Sequence, residues 1–204
     1  MGTSTLLLTD GETQILVDGF FTRPSLLGMA LGLIHPDKRR IIAALDAGGV
    51  GTPTAILVSH AHHDHVLDTA DVGLLRQSPN LPPPILVGSE SLKNVARGRG
   101  YPADRVEPAP IGEPRAFGKF TVQAFVTRHS PTPLPAVETE KALGRHAYVL
   151  SYKMGPNYAY VVDHGAVRVL IYSSAYPPEG PELERIRDLA PDVIFLGCRE
   201  AGRR

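Results

Sequence analysis

Four histidines and one aspartate fall within six consecutive residues, from His60 to His65, in the stretch LVSHAHHDHVLD. The chain has only eight histidines among 204 residues, so half of them are at this one place. Crowded imidazoles repel one another when they are protonated and add little to an apolar core. The usual resolution is a metal cation that they share. The stretch therefore predicts a metal centre.

The spacing divides the candidate ligands into two groups. His60 and His62 are two residues apart, and in an extended segment their side chains point the same way. Asp64 and His65 lie at the turn into the following helix, where we expect them to face a neighbouring position. Imidazoles with a carboxylate suit Zn²⁺, with Mn²⁺ or Fe as alternatives, and one or two ions. His63 falls between the pairs and is interpreted as a spacer.

The elements around this motif predict a mixed α/β fold in one domain that spans residues 1–204. An apolar strand at 54–59 precedes the motif, and a helix from Val66 to about Arg76 follows it. The order of elements suggests two sheets face to face with helices outside. Further helices are predicted at 37–47, 89–97 and 180–189, and strands at 85–88, 114–117, 120–129, 147–153, 158–164, 167–174 and 192–197, after a hairpin that turns at Asp10-Gly11.

Two segments are candidates for the walls of a substrate pocket. The first is the apolar run at 25–34, which is too short to span a bilayer and is interpreted as a buried helix, with a hydrophobic cap as the alternative. The second is the polar loop at 130–146. His146 and Tyr148 are candidate substrate contacts, although a surface or core role is favoured for each. Three arginines in 97–105 are interpreted as part of a solvated loop.

Composition limits the partners. Lys+Arg and Asp+Glu are equal at 21 each, so the formal net charge is zero, which argues against nucleic acid as a partner. The single cysteine, Cys198, excludes an internal disulfide and fits a reducing compartment. The first residues lack the basic and apolar regions of a signal peptide. We expect a cytoplasmic protein with a small-molecule substrate and no membrane partner.

Three stretches resemble the metallo-β-lactamase-fold superfamily of metal-dependent hydrolases: SHAHHDH, ILVDGFF at 15–21 and FVTRHSP at 125–131. The resemblance implies a four-layer αββα sandwich with two mixed sheets and the metals at one edge between them. It also implies roles for individual residues: His60, His62 and His129 as ligands of a first metal, Asp64 and His65 as ligands of a second, and Asp18 as the strand-end aspartate that supports the metal-binding loops.

The chain departs from that superfamily in two places. Members usually bridge the two metals with an aspartate at the end of a later strand, where the stretch VLIYSSAY offers Ser173 and Ser174. We therefore predict one well-occupied metal and a weak or empty second site. A final histidine normally follows DVIFLG, where only CREAGRR remains, so we expect a short or trimmed C-terminus. Cys198 is interpreted as a structural cysteine rather than a ligand. A lactonase-like, uncharacterised branch offers the best match.

The resemblance implies a metal-dependent hydrolase in which a metal-activated water attacks an ester, lactone, thioester, β-lactam or phosphodiester. Asp64 is the candidate catalytic residue, because it can orient the water or accept its proton. The alternative is a degenerate metal-binding domain without hydrolytic activity. Iron-based reduction of oxygen or nitric oxide is a third class that the fold supports. Proteins of that class typically carry glutamate in place of His62 and a flavin domain.

Overall fold

The computed structural model describes residues 5–132, 136–174 and 178–197. Within these ranges the chain forms two large sheets, a short two-stranded ribbon and six α-helices. The strands are β1 (Leu6–Thr9), β2 (Gln14–Val17), β3 (Leu33–Ile34), β4 (Ala55–Leu57), β5 (Ile85–Gly88), β6 (Val106–Pro108), β7 (Arg115–Phe117), β8 (Phe120–Thr127), β9 (Ala147–Tyr148), β10 (Asn157–His164), β11 (Val167–Tyr172) and β12 (Val193–Leu196). The helices are α1 (Leu26–Ala30), α2 (Lys38–Ala47), α3 (His63–Val66), α4 (Thr69–Leu75), α5 (Glu90–Gly98) and α6 (Pro181–Leu189).

Both large sheets are mixed. The first has the order β1-β2-β4-β5-β6 and is antiparallel only between β1 and β2. The second has the order β12-β11-β10-β8-β7 and is parallel only between β11 and β12. The ribbon pairs β3 with β9. Because β2 and β4 run parallel as neighbours, the loops after them leave the first sheet at the same edge.

The layers follow from the alternation of side chains along each strand. On β2, Ile15 and Val17 face the second sheet and pack in the core between the two sheets, whereas Leu16 faces the other way, in the core that includes α2, α4 and α5. The outer face of the second sheet is covered by α6, whose Ile186 packs near Leu170. The predicted four-layer αββα sandwich with two mixed sheets is confirmed.

Two expectations about individual elements are wrong. The helix predicted from Val66 to about Arg76 is divided into α3 and α4. The strand predicted at 147–153 ends after two residues and continues as a 3-10 turn, Val149–Ser151. Strands β3 and β6 were not predicted, because each has only two or three residues and β6 ends in a proline, which disfavours a strand.

The predicted buried helix at 25–34 is also wrong. A five-residue helix, α1, lies at the surface, with Leu26 82%, Leu27 70% and Leu31 72% exposed. Its N-terminal cap is Ser25, whose Oγ accepts a hydrogen bond from the Gly28 N–H at 3.1 Å. Pairing of β3 with β9 fixes the end of this segment, where Ile34 is buried in the core. Within α1 itself, Met29 packs partly against the core. In the described ranges, no helix is long and apolar enough to cross a bilayer.

The arginines at 97–105 do not all belong to a solvated loop. Helix α5 extends to Gly98, and the guanidinium of Arg99 is fully buried. It lies 3.3 Å from the Asp71 carboxylate and donates to the Tyr152 hydroxyl at 2.7 Å. Arg145 reaches the other oxygen of Asp71 at 2.7 Å. A guanidinium can be buried in this way because it is paired with a carboxylate and hydrogen-bonded.

We predict that Asp10→Ala weakens the β1–β2 hairpin in a pH-dependent way. Oδ1 of Asp10 accepts from the N–H groups of Thr13 and Glu12, at 2.7 and 2.9 Å, and Oδ2 lies 3.1 Å from Nε2 of His164. The Thr13 N–H, the Glu12 N–H and the His164 ring lower the pKa of Asp10 from 3.8 to about 2. The stabilisation is therefore fully present above pH 3.8 and is lost as the pH falls through about 2.

Urea unfolding at several pH values measures this effect. The midpoint of Asp10→Ala is expected below that of the wild type at pH 7, with the gap shrinking as the medium becomes acidic. Glu12→Ala is the matched control in the same turn, because within the described ranges its carboxylate forms an ion pair with the exposed Lys119 and with no other side chain. An equal gap at all pH values would show that the carboxylate charge of Asp10 has no part in it.

Candidate metal centre

Asp18, directly after β2, lies beneath the predicted metal site and is fully buried. Its N–H donates to the carbonyl of Leu57 at 2.7 Å, and its Oδ1 accepts from the Ser59 N–H at 2.8 Å. The backbone of Asp18 is left-handed, with φ 58°, a conformation that aspartate tolerates better than most residues. These bonds fix the end of β2 to the end of β4, where the histidine motif begins.

The other oxygen of the same carboxylate reaches two more segments. Oδ2 of Asp18 accepts from Nδ1 of His65 at 2.8 Å and from Oγ of Ser173 at 3.3 Å. Ser173 follows β11 in the second sheet, so one side chain joins both sheets to α3. The predicted supporting role of Asp18 is consistent with this geometry.

Three histidines from distant parts of the chain converge above Asp18. His60 and His62 are buried, His129 is half-buried, and one nitrogen from each ring lies within 4.8 Å of the others. The ring centroids are 4.9 Å apart for His60 and His62, 4.6 Å for His60 and His129, and 5.1 Å for His62 and His129. Since zinc–nitrogen bonds are about 2 Å long, small rotations would bring all three onto one ion.

The hydrogen bonds of these rings leave ligand nitrogens available. Nδ1 of His129 lies 2.6 Å from the carbonyl oxygen of Ser130, so it carries the proton and leaves the Nε2 lone pair unused. Nδ1 of His60 lies 3.2 Å from Oγ of Ser59, which in turn donates to Asp18. Among the described residues, the buried Nε2 atoms of His60 and His62 have no hydrogen-bond partner. A buried nitrogen without a partner is costly, and a cation would satisfy both.

The protonation states also favour a cation. Burial and then the neighbouring His65, His129 and His62 hold the pKa of His60 well below its usual value. Burial and then His129 lower the pKa of His62 to about 4. Burial likewise lowers the pKa of His129. Neutral imidazoles are the form that binds metals, so the residues present fit a divalent ion such as zinc. Their role as ligands stays a prediction.

Asp64 and His65 occupy a position next to the three histidines. Burial is the largest influence on the pKa of His62 and lowers it, and the Asp64 carboxylate acts in the opposite direction, so its charge lies near that ring. Burial acts to lower the pKa of His65, but the carboxylate of Asp18 outweighs it and the pKa is raised. The ring of His65 lies 3.8 Å from that of His60. His65 therefore lies beside the three histidines and the charge of Asp64 lies near them, and an adjacent site formed by these two residues stays a prediction.

The two serines at the bridge position face different partners. Oγ of Ser173 bonds to Asp18, as above, whereas Oγ of Ser174 lies 3.3 Å from Nε2 of His65. The nitrogen that His65 would offer to a second metal is thus already in hydrogen-bond contact with a hydroxyl. A neutral hydroxyl is a poorer ligand for zinc than a carboxylate. The geometry is consistent with a weak second site.

A cavity of about 640 Å³ opens beside His129. Its described lining is mostly apolar, with Val126, Met154 and Pro156 among its walls, and it includes the start of the 130–146 loop. None of the described residues of 25–34 lines it, and neither does His146 or Tyr148. The wall predicted from the 130–146 loop is therefore present, and the wall predicted from 25–34 is not.

The remaining predicted residues lie elsewhere. His146 lies against His35, with ring centroids 4.8 Å apart, and Tyr148 is 61% exposed on β9. His63 is partly buried and meets the ring of Phe20 edge-on at 6.2 Å, outside the group of three histidines. Cys198 lies outside the described residues.

Several supporting residues have no clear signal in the sequence. Asp68 is fully buried, and its Oδ2 accepts from the N–H groups of Phe21 and Thr22 at 2.7 and 2.6 Å. It therefore fixes the loop that follows Asp18. Tyr160 donates to the carbonyl of Val58 at 2.8 Å, just before the histidine motif. Asp68 matches the pattern of a helix cap and Tyr160 that of a core strand residue, so sequence alone assigns neither a supporting role.

Solved structures with a similar fold are numerous, although no protein-family model and no curated protein sequence matches the chain. MIM-2 metallo-β-lactamase is 16% identical over 96% of this chain and 70% of that one, with a TM-score of 0.55. A protein from Veillonella parvula, described as a "possible metal-dependent hydrolase", is 16% identical over 95% and 70%, with a TM-score of 0.54. YhfI from Bacillus subtilis, a metallo-β-lactamase fold protein, is 16% identical over 84% and 55%, with a TM-score of 0.52.

The chain therefore has the metallo-β-lactamase fold. It spans little more than half the length of YhfI. At this level of identity the similarity concerns the fold, so the chemistry of this chain has to be argued from its own residues.

We predict that Asp18→Asn weakens metal binding roughly 10- to 100-fold, the range found when groups that orient metal-binding histidines are removed. The substitution removes the charge that holds His65 and Ser59 in place. Isothermal titration with Zn²⁺ measures the affinity.

Asp68→Asn is the matched control for this prediction. Asp68 is as buried as Asp18, but among the described residues its hydrogen bonds come from Phe21 and Thr22 and not from a histidine. Both variants should lose stability, since each disturbs a buried carboxylate network. Only Asp18→Asn should lose metal affinity, and equal affinities in the two variants would contradict the supporting role of Asp18.

Proposed function

We propose that this protein is a metal-dependent hydrolase in which His60, His62 and His129 hold the catalytic ion. The observation that carries the proposal is the convergence of three neutral imidazoles, two of them with buried nitrogens that lack a partner. The similarity to structures with the metallo-β-lactamase fold supports the same class. Zinc suits three imidazoles best, with manganese or iron as alternatives.

When bound, such an ion lowers the pKa of a coordinated water toward about 7 and polarises a substrate oxygen. The residues of the chain supply the rest. Asp64 lies near His62 and His129, where its carboxylate can orient the nucleophilic water and accept its proton. Ser59 and Asp18 fix the proton on Nδ1 of His60, so that Nε2 faces the ion.

The cavity beside His129 is the proposed substrate site. The apolar part of its wall, including Met154 and Pro156, favours the acyl or alkyl portion of a small molecule. Because His129 lines the cavity, a carbonyl or phosphoryl centre bound there would lie beside one ligand of the proposed ion. Esters, lactones, thioesters, β-lactams and phosphodiesters all fit this chemistry.

One observation favours a second candidate, a metal-binding domain without hydrolytic activity. Ser173 and Ser174 offer hydroxyls at the position where a carboxylate bridge is expected, and Ser174 contacts the ring of His65. A site that holds a single ion can still activate water, because one zinc with three protein ligands is a common catalytic arrangement. The hydrolase is therefore the stronger proposal.

We predict that His62→Ala abolishes both metal binding at the first site and hydrolysis. His62 is one of three imidazoles in the group, and two ligands hold zinc much more weakly than three. Metal content by mass spectrometry and turnover of a panel of esters, lactones and phosphodiesters measure the two effects.

His63→Ala is the control, since His63 is adjacent in sequence but lies outside the group. It should retain metal and activity. Wild-type protein that is fully loaded with metal yet inactive on the whole panel would favour the second candidate instead.

We predict that the wild type binds one zinc ion per chain tightly and that Ser174→Asp binds a second. The new carboxylate would lie near Nε2 of His65, and aspartate tolerates the left-handed backbone at this position, where φ is 53°. Equilibrium dialysis gives the stoichiometry, and Ser174→Ala serves as the control that should stay at one ion. Two tightly bound ions in the wild type would contradict the prediction.

A further inference from the structure

A group of large apolar side chains is exposed at the end of the β3–β9 ribbon. We call it the apolar patch, and it consists of Leu26, Leu27, Leu31, Tyr148 and Leu150. Their exposed fractions are 82%, 70%, 72%, 61% and 60%. Single exposed leucines are common on proteins, but several in one place mark a surface that contacts another phase or molecule.

The members of the patch are held together by the ribbon. The ring of Tyr148 packs directly on the backbone of Gly32, where an added Cβ would lie only 2.9 Å from it. The Val149 N–H donates to the carbonyl of Gly32 at 2.7 Å, which holds the turn that carries Leu150 beside the end of α1. Leu31 directly precedes Gly32. The patch is therefore a structured surface formed by two distant segments.

Basic side chains border this surface. Arg23 precedes α1, and Lys38, Arg39 and Arg40 begin α2, against one acidic residue, Asp37. All four basic residues are exposed, in a chain whose formal net charge is zero. In the part of the chain that the structure describes, neither Lys38 nor Arg39 has a carboxylate within ion-pair distance.

Arg40 connects the basic segment to the residues just before the N-terminus of α1. Its guanidinium donates to the carbonyl oxygens of Thr22 at 3.0 Å and Arg23 at 3.3 Å. A hollow of about 260 Å³ lies between these elements, and its lining includes Arg23, Ser25 and Arg40 together with Asp37, whose carboxylate lies 3.5 Å from the Arg40 guanidinium.

We propose that the apolar patch and its basic border dock this protein on the surface of an anionic lipid bilayer. The leucines enter the boundary between headgroups and acyl chains, and Arg23, Lys38 and Arg39 lie against lipid phosphates. This proposal differs from the sequence-based expectation of no membrane partner.

The charge distribution favours a bilayer over a second copy of the chain. In a symmetric dimer the same surface contacts itself, so the basic borders of the two copies would face each other and repel. An anionic surface instead attracts every basic residue of the border.

Co-sedimentation with lipid vesicles tests the proposal on the full chain. The wild type should bind vesicles of phosphatidylcholine with roughly one third phosphatidylglycerol at least about tenfold more tightly than phosphatidylcholine alone, and less tightly at high salt. Leu26→Ser/Leu27→Ser should lose about tenfold or more in binding to the anionic vesicles. Lys38→Gln/Arg39→Gln should lose the preference for anionic lipid and its salt dependence.

Matched controls separate the patch from general hydrophobicity and charge. Leu81→Ser/Ile111→Ser removes two apolar side chains of comparable exposure, 56% and 55%, from other surfaces. Arg97→Gln/Arg187→Gln removes two exposed charges from α5 and α6. Both controls should bind vesicles like the wild type, and circular dichroism verifies that every variant is folded.

Two results would overturn the proposal. One is equal binding of the wild type to anionic and neutral vesicles, or none to either. The other is a wild-type dimer in sedimentation velocity that Leu26→Ser/Leu27→Ser converts to monomer, which would assign the patch to a second copy. Neither result affects the proposed hydrolase, whose metal binding and turnover are measured without lipid.

Discussion

The burial of one carboxylate, that of Asp18, is the constraint on which the site depends. A charged side chain without exposure to water is tolerated only when hydrogen bonds surround it, and Asp18 has donors from Ser59, His65 and Ser173. Each donor comes from a different segment: the end of β4, helix α3 and the end of β11. Satisfying the carboxylate therefore fixes the relative positions of the segments that carry the histidines.

The buried charge of Asp18 also affects the pKa values of the neighbouring histidines. The negative charge of Asp18 raises the pKa of His65 against the effect of burial, whereas His60 and His62, which do not contact that carboxylate directly, keep a depressed pKa. Four crowded imidazoles thus divide into one that is paired with an anion and three that stay neutral. Neutral rings with inward-facing nitrogens are stable only if something satisfies those nitrogens, so the protein without a cation holds unsatisfied polar atoms in its interior.

The sequence is most informative where a residue type leaves few alternatives. The histidine motif, Asp18 and His129 are all found at one edge of the sandwich, because imidazole and aspartate at strand ends have a narrow range of uses. The alternation and length of apolar runs predicted the central strands, since burial on both faces requires continuous apolar sequence. The four-layer architecture followed from these elements.

The failures came from contacts between residues that are distant in the sequence. Leu26 and Leu27 belong to an apolar run of the kind that forms buried helices. In the structure the pairing of β3 with β9 holds this run at the surface, and both leucines are exposed. Arg99 lies in a stretch whose composition is typical of a solvated loop, yet its guanidinium is buried against Asp71 and Tyr152. Asp68 and Tyr160 support the site through bonds to the backbone, which any sequence can supply and which therefore leave no pattern. Local composition cannot predict such partners.

His129 follows a strand of the second sheet, whereas His60 follows a strand of the first, so an ion bound by both would connect the two sheets. An ion bound by His60 and His129 would close a loop of about 69 residues between the two sheets, counted as 129 minus 60. Cross-links that close long loops reduce the conformational entropy of the unfolded chain more than those that close short ones. In this fold a bound cation would therefore act as a reversible cross-link between the two sheets. Its loss would lower the stability of the sandwich where the two sheets meet.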